Sequence, residues 1–260
     1  MLRVKNEGRW LRRVLEAIKP LCDRIFVFDD HSGDSTPIIA KQTGATLFRS
    51  EFTGLDESRD KDFLLSKLYE AVPQEDKHYA NGNPECPYWA LAIDGDEELV
   101  KGDDRIIRQA IMRPGIHAYC LRIPYLWNDA GHIRVDRVYR TFERLGRPSL
   151  FRLMNHEFRF LKTPFGRGPN GEPVNFHCSS IPQEMLSHAQ ACAARLMHWG
   201  YLNREDRLRK FYWYNTIDPN NAAEDCYRHM VQGDLPEYPV YYAYKHAGPL
   251  QLEAIQWQVS

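Results

Sequence analysis

The sequence lacks most of the features that place a chain in a class directly. It has no run of about 18 apolar residues, and its first residues, MLRVKNEGRWLRRV, contain no apolar core of a secretory signal, so we expect neither a membrane span nor a signal peptide. Its six cysteines are scattered without a CxxC pair, which excludes zinc-finger spacing and predicts reduced thiols. The formal net charge is only −1, so nothing global requires a nucleic acid or an anionic membrane as partner. We therefore expect a cytoplasmic protein.

Two catalytic signatures are also missing. Neither a G-x-S-x-G nucleophile elbow nor a P-loop occurs, which weakens a hydrolase or a kinase interpretation. The composition, with 43% apolar and 27% charged residues, is sufficient for a sizeable core and an ordinary surface. A chain of 260 residues can form one large domain.

The first half of the chain alternates helix and strand patterns. Apolar side chains at Leu11, Val14, Leu15 and Ile18 lie on one helical stripe that ends before Pro20. Apolar strands are predicted near 25–28, 45–48 and 89–93, and helices after Thr36, at 56–71 and at 103–113. This order favours an α/β class, with a sheet covered by helices on both faces over about residues 1–115.

The second half is less regular. Strands are predicted over 119–127 and 149–154, and residues 163–175, TPFGRGPNGEPVN, predict a loop because they hold three glycines and three prolines. Helices are predicted from Pro182 to Ala194, from 205 to 217 and from 221 to 231. The Tyr-rich tail 236–260 has no assigned structure.

The stretch YWALAIDGDEEL places acids directly after a strand that is apolar on both faces. Asp94 and Asp96 flank Gly95, and Glu97 and Glu98 follow where the next turn is expected to open. Crowded carboxylates repel one another unless a cation joins them, and hard divalent metals prefer oxygen ligands. Alternation along an extended chain sends Asp94 and Asp96 to the same side, while Gly95 lets the backbone approach a ligand. The pattern predicts a metal site, and a solvated acidic turn is the alternative.

Four motifs in order resemble the family 2 glycosyltransferases of the GT-A fold. They are Lys5-Asn6-Glu7, the turn DDHSGDST that begins at Asp29, the segment LDESRDKD over 55–62, and AIDGDEEL. The resemblance covers roughly residues 1–100. It implies a Rossmann-like mixed sheet flanked by helices with a C-terminal helical extension, divided into a nucleotide-sugar half (1–115), an acceptor-side half (116–235) and a tail.

The resemblance also implies roles for these residues. Asp30 is expected to accept a hydrogen bond from uracil, and Arg59 to hold the base or the diphosphate, although an exposed ion pair with Glu57 or Asp60 is the alternative for Arg59. Asp94 is expected on the ribose and Asp96 on a Mn²⁺ or Mg²⁺ ion that orients a UDP-sugar. Lys5, Asn6 and Glu7 are expected at a strand end along the nucleotide, and capping of the first helix is the alternative for Asn6 or Glu7.

A late segment, RLMHWGYLNREDRLRKFYWYN, is expected to complete the donor site. His198 matches a metal-binding His of many GT-A enzymes, and an imidazole ligand favours manganese; a buried structural His is the alternative. Arg207 and Lys210 lie on one basic helical face that is expected to hold the diphosphate, unless it is a solvated surface. The aromatic residues 211–214 are expected in the core, with base or sugar stacking as the alternative.

The general base is the least defined residue of the predicted site. Inverting transfer needs a base on the acceptor side, and the usual "ED" signature of the resembled family is not evident here. The candidates are Glu157 in NHEFRF, which we favour, Glu172 and Asp225.

The sequence thus predicts a metal-dependent inverting glycosyltransferase that moves a sugar from a UDP-sugar to an acceptor hydroxyl. A surface glycan or a hydroxymethylated base in phage-type DNA are candidate acceptors, and the oligomeric state is not predicted. A nucleotide-binding module without catalysis and a nucleotidyltransferase are the alternatives, although RVKNEG fits the basic first loop of the latter poorly.

Overall fold

The structure is a computed structural model, and it describes residues 1–163, 177–217, 227–235, 250–255 and 257. Its strands are β1 (Leu2–Val4), β2 (Phe26–Asp29), β3 (Thr46–Arg49), β4 (Trp89–Leu91), β5 (Glu97–Leu99), β6 (Ala118–Arg122), β7 (Tyr125–Trp127), β8 (Asp129–Arg134), β9 (Arg147–Arg152), β10 (Phe160–Thr163), β11 (His177–Pro182), β12 (Ala189–His198) and β13 (Leu252–Ala254). Its α-helices are α1 (Leu11–Ile18), α2 (Thr36–Gln42), α3 (Glu57–Ala71), α4 (Asp104–Ile111), α5 (Arg137–Arg144) and α6 (Arg204–Ile217).

Apart from the antiparallel pair β10-β11, the strands form a three-stranded parallel sheet and an eight-stranded mixed sheet. β1, β2 and β3 pair in parallel, and the path β4-β9-β6-β12-β7-β8-β13 combines parallel and antiparallel pairs, with β5 added beside β12. Backbone bonds from the Met1 ammonium to the Leu91 oxygen (2.7 Å) and from the Ile93 nitrogen to the Met1 oxygen (3.3 Å) join β1 to the strand that contains β4. The predicted α/β class with a mixed sheet is therefore confirmed.

Helices cover both faces of the parallel part. Alternation along β2 sends Val27 into the core that packs against α1, and Phe26 and Phe28 into a second core that packs against α3. The predicted stripe of α1 is buried as expected. None of the helices in the described ranges has both the length and the apolar character needed to cross a bilayer.

One predicted helix is wrong. Residues 182–194 do not form an α-helix: Gln183–His188 is a 3-10 turn and Ala189–His198 is the ten-residue strand β12. Alanine-rich sequence favours helix locally, but β12 pairs with β6 along Ala189–Arg195 and with β5 along Leu196–His198, so tertiary pairing overrides the local propensity. The small, fully buried Ala194 fits this crowded central position.

Other boundaries differ from the sequence analysis. Pro124, which has no N–H to donate, separates β6 from β7 within the predicted strand 119–127. Glu97 and Glu98 do not open a solvated turn, because both are buried in β5. The Gly/Pro loop from 164 onward, residues 221–226 of the last predicted helix and most of the tail lie outside the described residues.

Candidate active site

A cavity of about 950 Å³ opens where β1, the strand that contains β4, and β12 end. It is lined by the residues that follow β1, by the turn between β4 and β5, by the end of β12 and by one face of α6. Its volume lies within the range of small-molecule sites, and strand ends are where open α/β sheets bind ligands.

The turn Asp94-Gly95-Asp96 is fixed by bonds to its neighbours. The Asp94 carbonyl accepts the Glu97 N–H (3.2 Å), and the Asp96 carbonyl accepts the Trp199 N–H (2.8 Å). The close approach that requires Gly95 is to β1 rather than to a ligand, because a Cβ there would lie 2.9 Å from Val4 Cγ1. Backbone geometry therefore places both aspartates at the cavity floor.

Three side chains converge at Asp96. The β5–β12 register pairs His198 with Glu97, which places the imidazole Nε2 3.6 Å from Asp96 Oδ2, and Lys210 on α6 donates to the same oxygen. Gly200 makes this possible, since a Cβ on it would overlap Asp96 Oδ2 and the Lys210 ammonium. Separate sequence patterns predict Asp96 and His198 as metal ligands and Lys210 as a diphosphate contact, and in the structure the three side chains lie together.

The charges of this cluster are set by burial and by proximity. Burial lowers the pKa of His198 to about 4, so its imidazole is neutral at neutral pH. Burial favours the protonated form of Asp96, but His198 and Lys210 outweigh it and lower the pKa of this carboxyl. Burial also disfavours the charged form of Lys210, but Asp96 and Glu7 raise its pKa well above the ordinary value. A carboxylate, an ammonium and a neutral imidazole thus share one buried site.

A divalent cation fits the residues of this site. The Asp96 carboxylate and the neutral His198 imidazole form a donor set suited to Mn²⁺. Two buried atoms nearby, His198 Nδ1 and Glu7 Oε2, have no hydrogen-bond partner. Within the described part of the chain, no group of three or more His, Cys, Asp or Glu side chains is arranged to hold a metal. The remaining ligands of a cation at Asp96 would therefore come from a substrate or water.

Arg147 is a cavity residue that the sequence analysis missed. This residue at the start of β9 donates to both oxygens of Glu97 (2.8 and 2.6 Å) and to Asp94 Oδ2 (3.1 Å). Its guanidinium thereby orients Asp94 and forms an ion pair with Glu97, which is buried in β5. No motif marks Arg147, because its position depends on the pairing of β9 with β4 and β6.

The predicted donor residues after β1 line the cavity. Lys5 Nζ lies 3.3 Å from Asp30 Oδ2 and 5.3 Å from the ring centroid of Trp213. Asn6 has a positive φ of 56°, and its side-chain oxygen accepts the Gly33 N–H. These contacts make this segment a wall of the cavity that is tied to the turn after β2.

Glu7 is the acidic residue of that wall. Its backbone N–H donates to Thr36 Oγ1 at 2.9 Å, which fixes the position of the residue. Burial raises the pKa of the Glu7 carboxyl to about 8, although Lys210 acts in the opposite direction. The carboxyl is therefore largely protonated at neutral pH and can donate a hydrogen bond into the cavity.

Asp30 and Arg59 are not among the cavity-lining residues. Asp30 is 2% exposed and binds Arg3 (2.6 Å) as well as Lys5. Arg59 donates to Asp60 Oδ1 and to two backbone carbonyls, and its guanidinium lies 4.4 Å from the Phe52 ring centroid. The structure thus supports the alternative of an ion pair with Asp60 for Arg59.

Arg207 also points away from the cavity. It is 1% exposed, and its guanidinium binds both oxygens of Asp234 (2.6 and 2.7 Å) and the Tyr201 carbonyl (2.8 Å). Its donors are occupied in the core, so the basic face predicted for α6 reaches the cavity through Lys210 and Arg209 instead.

The structure does not bring Glu157 to the cavity. Its side chain is exposed, its backbone N–H donates to Asn155, and it is absent from the cavity lining. Glu172 and Asp225 lie outside the described residues. The general base therefore stays a prediction without geometric support.

Comparisons with known proteins give distant likenesses. No family model matches the chain. A TPR repeat-containing protein of Synechococcus elongatus is 28% identical over 155 residues, which are 59% of this chain and 33% of that protein. The chain thus spans about a third of the length of this curated relative.

The chain also has distant likenesses to solved structures. Glucosyl-3-phosphoglycerate synthase from Mycobacterium tuberculosis, solved with Mn²⁺, UDP and glucosyl-3-phosphoglycerate, matches with a TM-score of 0.42 and 15% identity over 76% of this chain and 68% of that one. The same enzyme with Mg²⁺ and UDP matches with a TM-score of 0.31 and 19% identity over 48% of this chain and 42% of that one. A mycobacterial protein matches with a TM-score of 0.41 and 15% identity over 82% and 72% of the two chains. None of these matches assigns the chain to a family.

Proposed function

We propose that this chain is a metal-dependent glycosyltransferase of the GT-A type that transfers a sugar from a UDP-sugar to an acceptor hydroxyl. The observation that carries the proposal is the buried group of Asp96, His198 and Lys210 on the floor of a nucleotide-sized cavity. A carboxylate and a neutral imidazole suit a divalent cation, and an adjacent ammonium suits the phosphates that such a cation holds.

The proposed reaction breaks the bond between the sugar C1 and the β-phosphate oxygen. The electron pair leaves with the diphosphate, the acceptor oxygen bonds to C1, and its proton passes to a base. A bound Mn²⁺ or Mg²⁺ supplies Lewis-acid stabilisation of the departing diphosphate. Lys210 adds a positive charge where that negative charge develops, in a site partly shielded from water.

The remaining donor contacts are assigned by position. Asp94, held by Arg147, faces the cavity and is proposed for the ribose or the sugar. Lys5, Asn6 and Glu7 are proposed along the nucleotide. Asp30 acts in this proposal through Lys5, whose ammonium it holds at the cavity wall.

Inversion is proposed on the basis of the sequence resemblance. Its test is the anomeric configuration of the product, measured by NMR at early times. Substitution of Glu157, Glu172 or Asp225 by the corresponding amide tests the base, and the residue whose variant loses turnover while it keeps UDP affinity is the base. The acceptor panel for these assays includes oligosaccharides and hydroxymethylated DNA.

The test of the donor and the metal is calorimetric titration of UDP and of GDP, each with and without Mn²⁺. We expect UDP binding that requires Mn²⁺ in the wild type and is lost in Asp96→Asn. Asp129→Asn is the matched control, because Asp129 is exposed and lies outside the cavity lining.

Three results, one from the titration and two from activity assays, would redirect the proposal. Absence of metal-dependent binding of either nucleotide would contradict it. Tight UDP binding with no transfer or hydrolysis of any UDP-sugar would favour a binding module without catalysis. Release of pyrophosphate from UTP in the presence of a sugar phosphate would favour a nucleotidyltransferase.

A further inference from the structure

Lys61 lies within the segment 55–62 but has no role in the proposed donor site, although it lines the cavity. It lies on α3 and lines the cavity together with Cys178 and Ser180 of β11. Burial lowers the pKa of the ammonium, but Glu57 and the nearby Cys178 and Asp94 outweigh this effect and raise it. Lys61 is therefore charged at neutral pH.

The ammonium of Lys61 has few partners. It donates to the Ser179 carbonyl at 3.4 Å, which is long, and its position 5.8 Å from the Phe160 ring centroid adds a weak attraction. An ammonium has three donors, so it retains capacity for a ligand.

The other cations of the cavity lining are paired within the described residues. Each lies within 4.0 Å of a carboxylate: Arg3 with Asp30 and Asp60, Lys5 with Asp30, Arg9 and Arg209 with Asp206, Arg147 with Asp94 and Glu97, and Lys210 with Asp96. Lys61 has no carboxylate within that distance in the described part of the chain. It is therefore the cation of this lining whose charge a ligand can satisfy without breaking an ion pair.

Two arginines line the same small cavity as Lys61. A small cavity beside the main one is lined by Arg3, Lys61, Arg147 and the Ser180 residue, with Asp94 as the acid among them. Arg147 already neutralises Asp94. Arg3 is itself bound to Asp30 and Asp60, and Glu57 also lines the main cavity, so the charge here that has no carboxylate within 4.0 Å among the described residues is that of Lys61.

The geometry points to an anion subsite at Lys61 that binds a phosphate or carboxylate group of a substrate, distinct from the donor diphosphate. This inference rests on the proposed function for the location of the diphosphate. The anionic group has two possible sources, an acidic acceptor or the carboxylate of a uronic acid carried by UDP.

The binding test uses inorganic phosphate as the probe. It is titrated into the whole chain saturated with UDP and Mg²⁺, by calorimetry, for wild type, Lys61→Gln, Lys61→Arg and Lys67→Gln. Lys67 is the matched control, because it lies on the same helix and is paired with Glu70 at 2.8 Å outside the cavity. We expect phosphate affinity to fall about tenfold in Lys61→Gln, the loss of one charge-assisted hydrogen bond, and to be kept in the other two variants.

The source of the anion is tested with two donors. If the group belongs to the donor sugar, Lys61→Gln lowers the affinity for UDP-glucuronate but not for UDP-glucose. If it belongs to the acceptor, both affinities are unchanged and only phosphate binding in the presence of UDP is lost. Either result supports the subsite.

Two results would overturn the inference. One is phosphate binding to Lys61→Gln with wild-type affinity. The other is loss of phosphate binding in the wild type once UDP is bound, which would make Lys61 part of the diphosphate site. If UDP does not bind at all while phosphate binding still depends on Lys61, the proposed function fails and the anion subsite stands.

Discussion

At the scale of single residues, the cavity depends on a glycine that carries no chemistry. Gly200 follows the His198-Trp199 pair, and any Cβ on it would collide with the Asp96 carboxylate and the Lys210 ammonium. Neither group can move away freely, because Asp96 is bound to Trp199 through its backbone and Lys210 belongs to α6. The contact between the Asp96 carboxylate and the Lys210 ammonium therefore requires a glycine at position 200.

We predict that Gly200→Ala abolishes Mn²⁺-dependent UDP binding while the protein stays folded. The added methyl forces Asp96 and Lys210 apart, which removes the arrangement on which binding depends. Calorimetric titration of UDP measures the loss. Gly131→Ala is the control, since its nearest neighbour is the exposed Asp129 carboxylate at 3.2 Å, which can move. Wild-type UDP affinity in Gly200→Ala would contradict the prediction.

Arg147 gives a second prediction at this scale. We expect Arg147→Lys to lower UDP affinity by about tenfold, because a lysine keeps the charge but cannot hold Glu97 and Asp94 together as the planar guanidinium does. Arg195→Lys is the control, because Arg195 makes a similar two-point contact with Asp103 outside the cavity. Equal losses of UDP affinity in both variants would show that Arg147 acts only on stability.

The sequence predicted the residues of the site that belong to local patterns. Asp94 and Asp96 stand after an apolar strand, and His198 stands in an apolar run near basic residues, so each has a signal within a few positions. Arg147 has no such signal, and the segment 55–62 contains Lys61 without marking it, because the contacts of both residues reach positions 50 or more residues away. Contacts between residues so far apart cannot be predicted from the local pattern of a single sequence.

At the scale of elements, α6 is positioned by an arginine in the core. The Arg207 guanidinium binds Asp234, two backbone carbonyls and Asn128, and it stacks 4.5 Å from the Trp127 ring centroid. One helical turn further on, Lys210 reaches Asp96. Arg207 thus anchors α6 in the core, and Lys210 on the same helix contacts Asp96 in the cavity.

We predict that Arg207→Lys lowers the free energy of unfolding by about 2–4 kcal/mol, because it leaves buried acceptors and a buried carboxylate incompletely paired. Urea denaturation measures the change. Arg204→Lys on the same helix is the control, since Arg204 is exposed and donates only to the Asp234 carbonyl. An unfolding free energy within about 0.5 kcal/mol of the wild type in Arg207→Lys would contradict this anchoring role.

Elements with strong local patterns were predicted well, and those decided by pairing were not. The helices α1 and α3 follow their apolar spacing and their breakers closely. β12 has helix-forming residues, yet it lies in the sheet because β6 pairs with Ala189–Cys192 and Arg195 and β5 pairs with Leu196–His198. β5 carries two glutamates that no strand pattern favours, and it forms because Arg147 binds Glu97 and because Arg13 and Trp199 bind Glu98.

At the scale of the whole molecule, burial of His198 makes stability depend on pH. Its pKa falls from 6.5 to about 4 on folding because of burial, so between these values the unfolded chain binds a proton that the native state does not. This group's contribution to stability is therefore complete above pH 6.5 and is lost progressively as pH falls through this range.

We predict that His198→Gln removes this part of the acid sensitivity. The wild type should lose about 2 kcal/mol more stability than the variant between pH 6.5 and pH 5, in metal-free protein, since each pKa unit corresponds to about 1.4 kcal/mol. Urea denaturation at both pH values measures the difference, with His132→Gln at an exposed position as the control. Parallel pH profiles for the wild type and His198→Gln would contradict the assignment.

The ion pair between Lys210 and Asp96 has a consequence for how the cavity fills. Lys210 binds the Asp96 carboxylate oxygen that an incoming cation would also need. A metal that binds alone must therefore displace the Lys210 ammonium. Among the described residues, that ammonium has no other carboxylate within 4.0 Å. A nucleotide that arrives with the metal offers that ammonium a new partner in its phosphates. The two ligands should accordingly bind with positive cooperativity, each tightening the binding of the other, and by linkage the factor must be the same in both directions.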